Sequence, residues 1–302
     1  MPPRTMFDAS SSCPILPDRP PRDPLAVMRH EMRLREGPVP DSIGGIVVED
    51  NRQHLDGREY LLREPGFACH YRQGEGVTCQ LADETARTRM ELFLSGSVHA
   101  AVACINGLYP LHASAVVLRG RAVAFTGPSG AGKSTLVAAL NQQGLALFAD
   151  DTLVLDISQC PPMGLPGHKR LKLWPDAVAL AGAVPQEQVS PDYPKNYART
   201  EGSDPQGILP LGAIIAMAQG DALDFEELHG GARLTALDEA HYTEQLFRLA
   251  RGEDDAAAFV RRAALAQAVP HYRFTRPFAR DAFPAMLDFI MEQLERLTGP
   301  WP

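Results

Sequence analysis

The chain has 302 residues, of which 45% are hydrophobic and 22% are charged, and its formal net charge is −8. This composition is that of an ordinary globular protein with enough core for one large or two smaller domains. Because the net charge is negative and no basic stripe offsets it, nucleic acid is excluded as an expected partner.

Neither a secretory signal nor a membrane span is expected. The longest apolar region, 90–108, is interrupted by polar residues and is predicted to be a buried helix. The cysteines are odd in number and show no C-x-x-C spacing: Cys13, Cys69, Cys79, Cys104 and Cys160. They are therefore predicted to be reduced thiols of a soluble, cytoplasmic protein, with no zinc site.

The N-terminal third is predicted to have two parts. Residues 1–40, rich in Pro, Arg, Asp and Ser, are expected to be a flexible tail with a short helix around 25–35. Residues 41–100 contain short apolar runs separated by turn signals, which predict a small β-rich cap. A helix at about 88–106 connects this cap to the remaining domain, residues 101–302.

The second domain is predicted to open with a β-hairpin, in which residues 114–118 and 121–125 are joined at Arg119-Gly120. Further extended runs are predicted at 145–149, 152–157 and 209–218. Long polar loops are predicted at 158–170 and 185–210.

The C-terminal third is predicted to be helical. Asp238 is expected to cap a helix that reaches Arg251, and Asp254 or Asp255 a second one that reaches about residue 268. Apolar residues repeat with helical spacing over 283–297 and predict an amphipathic final helix. Such a stripe packs either in the core or in a subunit interface, so a homo-oligomer is one of the two arrangements that the sequence allows.

After the hairpin, the sequence GPSGAGKS at residues 127–134 matches G-x-x-x-x-G-K-[ST] at every required position. A predicted strand precedes it and a helix-compatible run follows it, as in a phosphate-binding P-loop. Its glycines let backbone amides face a phosphate, and the helix N-terminus adds partial positive charge. The predicted nucleotide-binding residues are Gly127, Ser129, Gly130, Ala131, Gly132, Lys133, Ser134 and Thr135.

The P-loop chemistry assigns two side chains. Lys133 is expected to reach the β- and γ-phosphates of ATP, and the Ser134 hydroxyl is expected to ligate Mg²⁺. Other P-loop classes lack support, because the chain has no N-K-x-D motif of GTPases and no L-S-G-G-Q transporter signature.

Two adjacent carboxylates, Asp150 and Asp151, follow the next predicted strand. One carboxylate at this place is the expected Mg²⁺ partner. Because adjacent side chains point in different directions, the other can face the γ-phosphate and accept a proton from an attacking hydroxyl. The alternative is a single metal aspartate beside a turn residue.

Together these segments resemble the catalytic domain of the HPr serine kinase/phosphorylase family: LHASAV at 111–116, the P-loop, and ADD at 149–151. With LWPD at 173–176 and PHYRF at 270–274, the chain is more specifically similar to HPr-kinase-related proteins of bacterial peptide-modification clusters, including lasso-peptide clusters. The resemblance implies an α/β P-loop domain of the HPr kinase C-terminal and PEP carboxykinase-like type. It also implies transfer of the γ-phosphate of ATP to a serine hydroxyl of a precursor peptide.

The resemblance also implies roles for individual residues. Asp151 is the proton acceptor, Lys133 the phosphate clamp, and His112 the active-site histidine beside the phosphates. Ser134 ligates Mg²⁺, which leaves Asp150 as the metal aspartate. Without the resemblance, His112 is as well explained as a structural histidine.

The sequence departs from the family in two places. The family ligates metal with a glutamate in a Leu-Glu-Ile-Arg-Gly-like signature, whereas residues 169–175 contain no acid. Asp176 or a water can replace it, so the second metal ligand stays open. The family's phosphorolysis motif is not visible, so we expect a kinase without efficient phosphorylase activity. The cap does not resemble the N-terminal domain of the bifunctional enzymes, so HPr itself is not expected to be the substrate.

Two basic clusters, 168–172 and Lys195 with Arg199, are either solvated loop charges or groups that attract phosphate or peptide.

Three functions remain: a peptide serine kinase, a small-molecule hydroxyl kinase, and an ATP-binding regulatory module without transfer. The aspartate pair and His112 favour catalysis, because a binding module has no need of a carboxylate at the γ-phosphate.

Overall fold

A computed structural model describes residues 23–190, 193–202, 204–239, 248, 250, 252 and 254–297. Within these residues the chain has a mixed α/β architecture, with a five-stranded sheet near the N-terminus and a nine-stranded sheet after it. The described part contains no helix that is both long and apolar enough to cross a membrane.

The N-terminal sheet is a series of hairpins with one added parallel strand. Its strands are β1 (Leu34–Glu36), β4 (Arg52–Asp56), β5 (Glu59–Glu64), β6 (Phe67–Arg72) and β7 (Gly76–Leu81). They lie in the order β1-β7-β6-β5-β4, and β1 runs parallel to β7. A small separate hairpin consists of β2 (Ser42–Ile43) and β3 (Ile46–Val47).

The short helix predicted within residues 1–40 is present in the described part of that segment. Helix α1 (Pro24–Glu31) begins after Asp23, whose side chain accepts hydrogen bonds from two backbone amides of the first turn. The buried Glu31 carboxylate accepts hydrogen bonds from the Tyr71 hydroxyl and the Gly74 amide, both at 2.8 Å. These contacts connect α1 to the N-terminal sheet, although the sequence around the helix is polar and contains no apolar run. Residues 1–22 lie outside the described part.

The predicted connecting helix is confirmed and contains an irregularity. Helix α2 (Arg87–Phe93) continues into a π-helical turn at Leu94–Val98 and then into α3 (His99–Ile105). Residues 100–105 are all buried, which fits the apolar run in the sequence.

The larger sheet carries the P-loop. Its strands are β8 (Tyr109–Leu111), β9 (Ser114–Leu118), β10 (Arg121–Thr126), β11 (Leu147–Ala149), β12 (Leu153–Asp156), β13 (Met163–Gly164), β17 (Leu209–Gln219), β18 (Asp224–Glu227) and β19 (His271–Arg276). The predicted hairpin of β9 and β10 is confirmed as an antiparallel pair. Strands β10, β17 and β19 run parallel side by side, so their carboxyl ends meet at one edge.

Helices cover both faces of this sheet. On one face, α4 (Lys133–Gln142), α5 (Pro175–Leu180) and α8 (Phe283–Arg296) belong to one core cluster with Phe125, Ile215 and Phe274. On the other, α6 (Gly231–Glu239) and α7 (Asp255–Ala268) contribute Leu237 and Leu265. The apolar stripe of α8 is therefore core of this domain.

Two element predictions are wrong. Residues 185–198 form strands β15 (Pro185–Ser190) and β16 (Tyr193–Ala198), which pair in a sheet with β14 (Leu171–Leu173), whereas a loop was predicted. Their exposed polar face hides the strand signal. Residue 238 lies near the end of α6 and does not begin a helix. Most of the predicted helix to Arg251 falls outside the described residues.

The expectation of reduced cysteines is only partly met. Cys69, Cys79 and Cys104 are buried free thiols. Cys160, in contrast, is disulfide-bonded.

The buried His271 generates a stability prediction. Its Nδ1–H donates to the Val269 carbonyl at 2.7 Å, and its Nε2 has no hydrogen-bond partner among the described residues. Burial lowers its pKa to about 4. Between pH 6.5 and 4 the unfolded chain therefore binds a proton that the folded chain excludes, so His271 destabilises the fold progressively as pH falls through this range.

As the pH falls from 7.5 to 5, we expect the contribution of His271 to decrease the free energy of unfolding by about 2 kcal/mol. Urea unfolding at both pH values checks this for the wild type, His271→Gln and the exposed control His229→Gln. The pH effect should shrink only in His271→Gln. An equal pH effect in all three proteins contradicts the prediction.

Candidate active site

The P-loop has the backbone that its glycines allow. Gly127, Gly130 and Gly132 have φ values of 137°, 83° and 82°, which other residues rarely adopt. A Cβ on Gly127 would lie 2.9 Å from the Met217 carbonyl oxygen, and one on Gly132 would lie 2.6 Å from the Arg276 guanidinium. The Met217 backbone leaves no room for a side chain at Gly127, and the positive φ favours glycine at Gly132.

Lys133 begins helix α4 and turns back over the loop. Its Nζ donates to the carbonyl oxygens of Gly127 at 2.8 Å and Pro128 at 3.1 Å. The residue is only 6% exposed, and this burial lowers the pKa of the ammonium. The loop thus holds a poorly hydrated cation at its centre, where a phosphate is the natural partner.

Asp150 is the buried centre of the site. It is 3% exposed, and its Oδ1 accepts hydrogen bonds from the Ser114 hydroxyl at 2.7 Å and the Ser134 hydroxyl at 2.8 Å. Burial raises the pKa of this carboxyl, and the two hydroxyl donors oppose that rise. Sequence reasoning missed Ser114, whose signal was a polar residue at the start of an apolar strand.

Asp151 points elsewhere because its backbone is left-handed, with φ at 69°. Such a conformation is strained for a residue with a side chain and clusters at functional sites. The Nδ1–H of His112 donates to the Asp151 carbonyl oxygen at 3.1 Å and lies 3.6 Å from Oδ1. The Nζ of Lys172 lies 3.9 Å from Oδ2.

A cavity of about 680 Å³ connects these groups. Eight predicted site residues line it: His112, Ser129, Gly130, Gly132, Lys133, Ser134, Thr135 and Asp151. Three do not: Ala131 lines a neighbouring cavity, and Gly127 and Asp150 line neither. The lining combines these polar and charged residues with apolar ones, which include Leu136, Leu180 and Phe283.

The surroundings of His112 favour its neutral form. Burial lowers the pKa of its imidazole, and the nearby Lys133 ammonium lowers it further. A neutral imidazole whose Nδ1 carries the proton can hold the Asp151 backbone without forming a salt bridge with the carboxylate.

Arg276 also lines the cavity and was missed by the sequence analysis. It ends strand β19, and its guanidinium donates to the Ala131 carbonyl oxygen of the P-loop. Burial lowers its pKa. A second cation therefore supports the loop from strand β19, which lies beyond β17 in the sheet, through a contact that joins residues far apart in the chain.

The basic clusters separate into paired charges and cavity residues. Lys169 bonds the Asp204 carboxylate, Arg170 bonds Glu187, and the Nε of Arg199 lies 3.4 Å from a Glu201 carboxylate oxygen. None of these three basic residues lines the cavity, whereas Lys172 and Lys195 do.

The residues fit a magnesium ion that keeps most of its water. Ser134 and Asp150 supply adjacent oxygens, which are the ligands that Mg²⁺ prefers. Within the described chain there is no group of three or more His, Cys, Asp or Glu side chains that could form a full metal cage. Asp176 lines the cavity and pairs with Arg280 there.

Comparisons with known proteins do not place the chain in a family. No protein-family profile matches it, and no curated protein matches it. Among solved structures, it is similar to the Hpr(Ser) kinase/phosphatase from Coxiella burnetii, at 13% identity and a TM-score of 0.31, over 63% of this chain and 99% of that one. This similarity is too low to identify the chain, so the resemblance to peptide kinases stays a prediction.

Removing the Lys133 ammonium tests the phosphate site. We expect Lys133→Ala to weaken ATP binding about 10- to 100-fold, because a charged hydrogen-bond donor contributes about 1.5–3 kcal/mol. Calorimetric titration with MgATP measures the change, and Lys169→Ala is the matched control outside the cavity. Equal affinity in Lys133→Ala and the wild type would place ATP elsewhere.

Proposed function

We propose that the protein is an ATP-dependent phosphotransferase that moves the γ-phosphate to a serine hydroxyl of a peptide. One observation carries the proposal: the Asp151 carboxylate opens into the same cavity as the P-loop lysine. A protein that only binds ATP needs the P-loop but no carboxylate there. A kinase needs both, because the attacking hydroxyl must lose a proton.

The residues divide the reaction between them. The acceptor hydroxyl gives its proton to the Asp151 carboxylate while its oxygen forms a bond to the γ-phosphorus. The bond between that phosphorus and the bridging oxygen breaks, and the electron pair stays on ADP. Lys133 stabilises the charge on the β- and γ-phosphate oxygens, and a Mg²⁺ bound at Ser134 and Asp150 would neutralise further charge.

His112 positions the base. Its hydrogen bond to the Asp151 carbonyl holds the left-handed backbone that directs the carboxylate into the cavity.

A peptide acceptor is supported by the rim of the cavity. Trp174 is 46% exposed there, and the Lys195 ammonium lies 5.4 Å above its ring. Exposed aromatic side chains are frequent anchors for peptides and proteins. Lys195 belongs to the β15–β16 hairpin, so an extended peptide can contact both this hairpin and the Trp174 segment.

The acceptor class is tested with radiolabelled ATP, Mg²⁺ and three acceptor sets. The first is a random peptide library with a fixed serine, the second is the same library with alanine in its place, and the third is a mixture of small alcohols. We expect label only in the serine library. Label only in the alcohols supports the small-molecule kinase, and release of free phosphate alone rejects both kinases.

The two aspartates are expected to fail differently. Asp151→Asn keeps the shape but removes the base, so transfer should fall about 10²- to 10⁴-fold while MgATP still binds. Asp150→Asn should mainly raise the Mg²⁺ concentration required for half-maximal rate. Initial rates over a Mg²⁺ series separate these effects; the reverse pattern would exchange the two roles.

A further inference from the structure

Lys172 is placed for chemistry by the alternation of strand β14. Its neighbours Leu171 and Leu173 are each 1% exposed and pack in the core beneath helix α4. Adjacent side chains of a strand point to opposite faces, so Lys172 extends away from this core and lines the cavity. Its side chain is only 13% exposed.

Two contacts hold the Lys172 ammonium near the reacting groups. Its Nζ donates to the Ser95 hydroxyl at 3.2 Å and lies 3.9 Å from Oδ2 of Asp151. The second distance is within ion-pair range but too long for a hydrogen bond. An ammonium has three donors, so this arrangement retains donor capacity towards the cavity.

Ser95 belongs to the π-helical turn between α2 and α3. It is buried, and its hydroxyl donates to the Leu92 carbonyl oxygen at 3.0 Å, so its lone pairs face the lysine. Single π-turns inside α-helices are frequent at functional sites, because the extra residue redirects side chains. Here the irregular turn brings a hydroxyl to a lysine that lies 77 positions later in the chain.

The cavity is therefore lined by a buried lysine, Lys133, and a partly buried one, Lys172, with different surroundings. Lys133 lies within the P-loop and contacts loop carbonyls, whereas Lys172 lies beside the carboxylate that meets the acceptor. An ammonium next to Asp151 faces the γ-phosphoryl group as it leaves ADP. Charge placed there stabilises the transition state more than the bound nucleotide.

We propose that Lys172 is a catalytic residue that binds the oxygens of the transferred phosphoryl group, and that Ser95 positions it. The proposal rests on the phosphotransfer described above. Lys172 keeps its protons throughout: the acceptor proton goes to Asp151, the new bond joins the acceptor oxygen to phosphorus, and the old bond to ADP breaks.

The kinetic test compares Lys172→Met with Lys169→Met, which removes the same charge from a lysine outside the cavity. We expect Lys172→Met to lower kcat about 10²- to 10³-fold, as for other lost transition-state donors, with little change in the KM for ATP. Ser95→Ala, which leaves the lysine in place but unheld, should lower kcat about 10-fold at unchanged KM. Lys169→Met should match the wild type.

A binding test needs no acceptor. Aluminium fluoride with MgADP mimics the transferring phosphoryl group, and we expect it to tighten ADP binding to the wild type about 100-fold or more. This gain should be lost in Lys172→Met and kept in Lys169→Met, whereas MgADP alone binds all three equally. The loss supports the role of Lys172 even if no peptide accepts phosphate, so failure of the peptide assignment is distinguishable.

Three results overturn the proposal. The first is a fluoride-dependent gain in Lys172→Met equal to that of the wild type, and the second is the absence of a gain in the wild type. The third is a change confined to the KM of the acceptor, which would make Lys172 a substrate-binding residue. If Lys172→Met does not fold, Ser95→Ala serves as the test. A Ser95→Ala protein with the kcat and the fluoride-dependent gain of the wild type overturns the proposal.

Discussion

Burial of the Asp150 carboxylate is the constraint on which the site depends. A carboxylate that is 3% exposed is strongly destabilising unless hydroxyl or amide donors surround it. Its two hydroxyl donors come from strand β9 and from the first turn of helix α4, while Asp150 itself follows strand β11. Satisfying this one group therefore fixes the P-loop helix against two strands of the sheet.

The same constraint explains why the next residue is strained. With Asp150 directed into the protein, the chain reverses at Asp151, whose left-handed backbone directs its carboxylate towards the cavity. Local strain of this kind persists only where surrounding contacts enforce it. Here the His112 hydrogen bond and the backbone bond from the Asp150 amide to the His168 carbonyl, at 3.0 Å, do so. Two adjacent carboxylates thereby acquire separate surroundings.

The site also joins parts of the molecule that the sequence treats as separate. Ser95, in the helix that follows the N-terminal sheet, contacts Lys172 in the small sheet of β14, β15 and β16. Arg276, at the end of β19, contacts the P-loop backbone at Ala131. Both contacts join residues that are far apart in the sequence, so the site is complete only when these segments have packed together.

The sequence by itself determined the features that depend on local chemistry. The spacing of 127–134 and the flanking apolar runs predict a glycine-rich turn between a strand and a helix, because glycine geometry acts over a few residues. The adjacency of Asp150 and Asp151 predicts two carboxylates with different directions, and the left-handed backbone of Asp151 separates them. Only the tertiary structure decided that Ser114 bonds Asp150, that Lys172 lies beside Asp151, and that 185–198 forms strands. Those facts depend on register and packing between distant segments, to which the polar residues involved give no periodic signal.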